Sequence, residues 1–152
     1  MIFIIIVPII FLDQLTKFII SSKLALHESL PIIRNIFHLT LVHNSGAAFG
    51  IFKNQVPIFI VASLLAVCLI YRSLTKDKSK GFSLYSFSLG LIFAGALGNL
   101  IDRIIFGYVI DFLDFRVWPV FNLADSAITI GAVLLSYCLL KPPQKQICKS
   151  ID

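Results

Sequence analysis

Two aspartates stand at the facing ends of two apolar stretches. Asp102 lies near the end of Gly98-Asn99-Leu100-Ile101-Asp102-Arg103, and Asp125 lies in Phe121-Asn122-Leu123-Ala124-Asp125-Ser126. A carboxylate in or beside hydrocarbon is costly and marks a functional position by default. Two carboxylates brought close cannot both ionise cheaply, so one keeps a proton. The ionised member can deprotonate a water. The protonated member can hydrogen-bond a carbonyl and later protonate a leaving amine. This is the chemistry of an aspartic protease, and it requires neither a metal nor a cofactor.

The elements that must position these groups read as membrane spans. Of the 152 residues, 58% are hydrophobic and 14% charged. A soluble domain carries about 25% charged residues, and the mean hydropathy here is +0.93. A spanning helix needs about 20 mostly apolar residues. Four segments qualify, at about 2–20, 56–72, 82–103 and 122–140. The first lacks a basic leader and a small-residue cleavage site, and is expected to be retained.

Basic residues set the expected orientation. The link after the second span carries Arg72, Lys76, Lys78 and Lys80, and the tail carries Lys141, Lys145 and Lys149. Positive segments stay in the cytoplasm. Both termini and this link are therefore expected inside, with 21–55 and 104–121 outside. The outer stretch 21–55 is apolar for a loop. Phe37-His38-Leu39-Thr40-Leu41-Val42 reads as a short strand, followed by the small-residue turn Asn44 to Gly50. The expected fold is a membrane all-α protein with a small β element: four transmembrane helices and an extracytoplasmic sheet on the membrane surface, in one domain over 1–152.

Helix rise of about 1.5 Å per residue places Asp102 roughly 30 Å from the inner end of its span. Asp125 lies roughly 24 Å out, and Lys17 on the first span arrives at roughly the same depth. Asn99 and Asn122 each precede an aspartate by three residues, on the same helix face. Gly90, Gly95 and Gly98 permit close helix approach. Structural roles are open beside the catalytic one. Asn122 and Asp125 can form a helix cap, and Asp102 can pair with Arg103 or Lys17. By the helix macrodipole, Asp102 is the member expected to hold the proton and Asp125 the base.

Other chemistries find little footing. His27, His38 and His43 do not match a zinc-protease spacing. Cys68, Cys138 and Cys148 are scattered without a CxxC motif, so no metal site is expected. The net charge of +5 suits anionic phospholipid headgroups better than nucleic acid. A proton-relay or transporter subunit is the main rival, with a non-catalytic assembly protein behind it. Polar residues of a relay would span the full membrane depth, whereas the inner halves of spans two to four are apolar. Both aspartates come from one chain, so a monomer is expected.

Five blocks in order resemble the lipoprotein signal peptidases, also called signal peptidase II: Asp13-Gln14-Leu15-Thr16-Lys17, Asn44-Ser45-Gly46-Ala47-Ala48-Phe49, Gly98 to Arg103, Val109-Ile110-Asp111-Phe112, and Phe121 to Asp125. The resemblance covers nearly the whole chain. It implies an aspartic endopeptidase of the bacterial cytoplasmic membrane, with its site near the outer face. Such enzymes cut prolipoproteins before a diacylglyceryl-modified cysteine. By motif it implies Asp102 and Asp125 as the catalytic pair. It also implies Asn44, Gly46, Asn99, Arg103, Asp111, Asn122 and Ala124 as lining or supporting residues, and Asp13 and Lys17 as structural polar residues.

Overall fold

The computed structural model describes residues 2–46, 55–76 and 83–140. In chain order it contains α1 (Phe3–Lys23), β1 (Ser29–Ile33), β2 (Phe37–Asn44), α2 (Val56–Lys76), α3 (Leu84–Phe106), β3 (Val109–Asp114) and α4 (Leu123–Leu140). All four helices are long and apolar enough to cross a membrane. They match the four expected spans, except that α2 continues through Arg72 to Lys76, where the sequence suggested a link. The expected basic residues Lys78 and Lys80, the tail after Leu140, and the turn beyond Gly46 lie outside the described residues.

Burial is inverted relative to a soluble bundle. The buried residues of α1 are Ile6, Asp13 and Lys17, while Phe3, Ile4 and Phe18 are exposed. No residue of α2 is buried. Apolar side chains facing outward suit hydrocarbon, and polar groups turn inward to find partners. The central element is α3, which packs against α1, α2 and α4.

Small residues allow that packing, because helix association in lipid depends on close backbone approach. A Cβ on Gly95 would collide with the carbonyl of Ala124, and one on Gly131 would lie 2.7 Å from the carbonyl of Ser88. Ser83 caps the start of α3 by accepting the N–H of Ser86. Gly107 ends the helix at φ 77°, in the left-handed region, where glycine is unstrained. The chain then turns directly into β3.

The three strands form one antiparallel sheet in the order β1-β2-β3. The expected strand at 37–42 lies within β2, and the structure adds β1 and β3 on either side of it. Val42 pairs with Asp111, His43 with Ile110 and Asn44 with Val109. Alternation along the strands places Asn44 and Asp111 beside one cavity and His43 and Ile110 beside another. The sheet thus separates two spaces next to the C-terminal ends of α1 and α3 and the N-terminal end of α4.

Candidate active site

The last turns of α3 carry Asn99, Asp102 and Arg103, β3 carries Asp111, and the start of α4 carries Asp125. Asn122 precedes α4. Its Oδ1 accepts the Asp125 N–H at 2.8 Å, while Asp125 Oδ2 accepts the Asn122 N–H at 3.3 Å. This reciprocal arrangement is a capping box, so the cap considered from sequence is present. It leaves Asp125 Oδ1 free to accept from Asn99 Nδ2 at 2.7 Å.

Asp111 is held in a parallel way. Asn122 Nδ2 donates to its Oδ1 at 2.7 Å and Asn44 Nδ2 to its Oδ2 at 2.9 Å. Asn122 Nδ2 also lies 3.1 Å from Asn99 Oδ1. The two asparagines therefore connect the two carboxylates. Gly46 donates its N–H to Asn44 Oδ1 at 3.0 Å, which orients that amide.

Asp111 and Asp125 line a common cavity of about 190 Å³ with Asn44, Gly46, Asn99 and Arg103, closed by Val109 and the stretch Trp118–Phe121. The Arg103 guanidinium sits 5.3 Å from the Phe59 ring centroid, a cation–π distance. It donates to the Asn99 carbonyl at 3.4 Å. Burial, reinforced by the charge of Asp125, pushes the Asp111 carboxyl up to about 7, although Asn44, Asn122 and Lys17 act the other way. Near neutral pH this carboxyl exchanges a proton readily, as a general acid or base must.

Asp102 has a different setting. It is fully buried and does not line that cavity. Lys17 Nζ lies 2.8 Å from its Oδ2, the Ile110 N–H donates to the same oxygen at 3.1 Å, and Gln14 Nε2 donates to Oδ1 at 2.9 Å. The ion pair with Lys17, one of the two roles weighed for Asp102, is therefore formed. Direction around the helix turns Asp102 toward α1, and it lines no part of the cavity that holds Asp125. The carboxylate that shares a cavity with Asp125 is Asp111, which the sequence placed only among supporting residues. Asp111 lies on a strand outside the helices, where helix rise gives no position.

Asp13 and Lys17 occupy the core behind the cavity. Lys17 uses its three donors on Asp13, Asp102 and Asn99 Oδ1. Ala124 contributes through its backbone, its N–H donating to Asp13 Oδ1 at 2.9 Å. Gln14 was not singled out, although it lies in the first sequence block. A second cavity of about 560 Å³ borders Gln14, Lys17, Asp102 and His43 on the opposite face of the sheet. His43 stacks there on Tyr108, with ring centroids 3.9 Å apart. Among the described residues no group of three His, Cys, Asp or Glu side chains is arranged to hold a metal ion.

Four spanning helices around paired, asparagine-held carboxylates define a multi-pass membrane protein with a polar reaction-sized cavity at one end of the bundle. Its family model is Signal peptidase (SPase) II, matched over residues 5–141. The lipoprotein signal peptidase of Halothermothrix orenii is 51% identical over 137 residues, covering 89% of this chain and 92% of that protein. The lipoprotein signal peptidase of Moorella thermoacetica is 49% identical over 138 residues, covering 89% of each. A bacterial membrane enzyme structure solved by the in meso method at 2.3 Å resolution superposes with a TM-score of 0.89 at 32% identity, covering 99% of this chain and 94% of the other. The chain belongs to the signal peptidase II family, and it is a multi-pass bacterial membrane protein of a peptidase family. The relay reading finds no support among these relatives.

Proposed function

We propose that this protein is an aspartic endopeptidase that removes the signal peptide from diacylglyceryl-modified prolipoproteins, with Asp111 and Asp125 as the water-activating pair. The observation that carries this reading is the shared cavity, in which both carboxylates are fixed by asparagine amides and face the same space. The names of the relatives supply the substrate class.

The reaction follows from the two environments. Asp125 lies at the positive end of the α4 macrodipole, which favours its anion. It takes a proton from a water lodged between the carboxylates, and the hydroxide attacks the scissile carbonyl carbon. Asp111, protonated, donates a hydrogen bond to the carbonyl oxygen as it becomes tetrahedral. The C–N bond then breaks, and the amino group of the lipid-bearing cysteine leaves with a proton from the pair. Arg103 at the cavity edge adds positive charge where the oxyanion develops.

The proposed topology keeps both termini in the cytoplasm and the site near the outer face. There, a diacylglyceryl group stays among the phospholipid chains while the scissile bond meets water. One chain supplies both aspartates, so a monomer suffices.

Cleavage of a diacylglyceryl-modified prolipoprotein by the purified protein in detergent tests the reading. Asp111→Asn and Asp125→Asn should each lose at least about 10³-fold in kcat while remaining folded, within the range of acid–base catalysis. A metal chelator should change nothing. Activity retained by folded Asp111→Asn would move the chemistry to Asp102 or elsewhere.

A further inference from the structure

Asp13, Lys17 and Asp102 border the reaction space from behind, and none of them lines the cavity that holds Asp111 and Asp125. The carboxylates of Asp102 and Asp13 nevertheless each hold the backbone next to one of the paired aspartates. Asp102 Oδ2 accepts the N–H of Ile110, directly before Asp111, at 3.1 Å. Asp13 Oδ1 accepts the N–H of Ala124, directly before Asp125, at 2.9 Å. Lys17 Nζ joins the two, 2.8 Å from Asp13 Oδ2 and 2.8 Å from Asp102 Oδ2.

We propose that Asp13, Lys17 and Asp102 form a positioning clamp that sets the separation and orientation of Asp111 and Asp125. The proposal rests on the reading of those two as the water-activating pair. β3 and α4 are separate elements joined by a loop, and their carboxylates repel when both are charged. A buried ammonium between two carboxylates is a short, nearly dry spacer. Its three N–H donors are all used, the third on Asn99 Oδ1 at 3.1 Å. Asn99 in turn donates to Asp125, so Lys17 also reaches the pair through a side chain.

Gly98 supplies the room. A Cβ there would lie 2.6 Å from Asp13 Oδ2 and 3.3 Å from the Ala124 Cβ. Gly98→Ala therefore displaces one arm of the clamp without changing any charge. Lys17→Arg keeps the charge but replaces a compact head by a wider planar one.

The test uses the full-length protein in detergent, the same lipid-modified prolipoprotein, and kcat expressed per folded molecule. Gly98→Ala, Lys17→Arg and Asp102→Asn are compared with Asp111→Asn. A misplacement of about 1 Å can cost about 10²-fold in rate. Each folded clamp variant is accordingly expected to lose about 10- to 100-fold in kcat at unchanged KM. Lys17→Met should lose more than Lys17→Arg, which restores the charge.

Wild-type kcat in the folded clamp variants, with Asp111→Asn inert, would overturn the clamp and leave the pair standing. Cleavage by Asp111→Asn with none by Asp102→Asn would overturn the pair and the clamp together. Failure of Gly98→Ala, Lys17→Arg and Asp102→Asn alike to fold would also overturn it, making the triad a determinant of the fold and not of the pair's geometry.

Discussion

At the scale of single residues, the decisive contrast is between Asp102 and Asp111. Both are buried aspartates near the C-terminal end of α3, yet their partners differ in kind. Asp102 accepts from an ammonium, which neutralises it. Asp111 accepts from the side-chain amides of Asn44 and Asn122 and shares its cavity with another carboxylate. Its carboxyl rises from 3.8 to about 7 through burial first and the charge of Asp125 second. A raised folded-state value favours the protonated form, so the stability it contributes is present below 3.8 and is lost as pH rises through about 7. Thermal unfolding of Asp111→Asn should therefore show a weaker decline across that window than the wild type. The alkaline limb of kcat should fall near the same pH, because the pair loses its proton. A wild-type rate that stays flat well above neutrality would argue against Asp111 as the acid.

At the scale of elements, the site depends on how closely α3 and α4 approach. Asn99 on α3 touches Asp125 of α4 and Asn122 just before it, and Gly95 on α3 leaves room for the backbone carbonyl of Ala124. Gly131 secures this farther along the pair, since its missing side chain would meet Ser88 O and Ile92 Cγ1 at 2.7 Å. Overpacking a tight core costs about 1–3 kcal/mol. Gly131→Leu should lower the melting temperature in detergent accordingly and reduce cleavage although it lies away from the carboxylates. A melting temperature equal to wild type would show that the helices can separate without loss.

At the scale of the whole molecule, polar groups gather at one end of an otherwise apolar bundle. α2 buries nothing among its own residues, and its apolar surface is suited to lipid on most sides. In the proposed topology the basic stretch from Arg72 stays in the cytoplasm. That topology puts the sheet on the outer side. In a cysteine-free background, a membrane-impermeant thiol reagent should label Ser29→Cys in intact cells with an outer membrane made permeable. Thr75→Cys, at the exposed far end of α2, should react only after the inner membrane is opened. The reverse pattern would invert the topology and put the reaction on the cytoplasmic side.

The spans, their order and the strand β2 were legible in the chain because hydropathy and strand alternation are local properties, readable window by window. Asp125 and its cap were legible for the same reason, as Asn122 and Asp125 are three residues apart on one helical turn. Lys17 could be placed near Asp102 by counting helix rise. Counting gives depth but not direction around the axis, and it is silent about strands. The three-dimensional fold alone turned Asp102 toward Lys17, formed β3 after the left-handed turn at Gly107, and brought Asp111 into the cavity of Asp125. Those relations join residues from α1, β2, β3, α3 and α4. They depend on glycine-mediated helix contact and sheet register, which no local stretch of sequence encodes by itself.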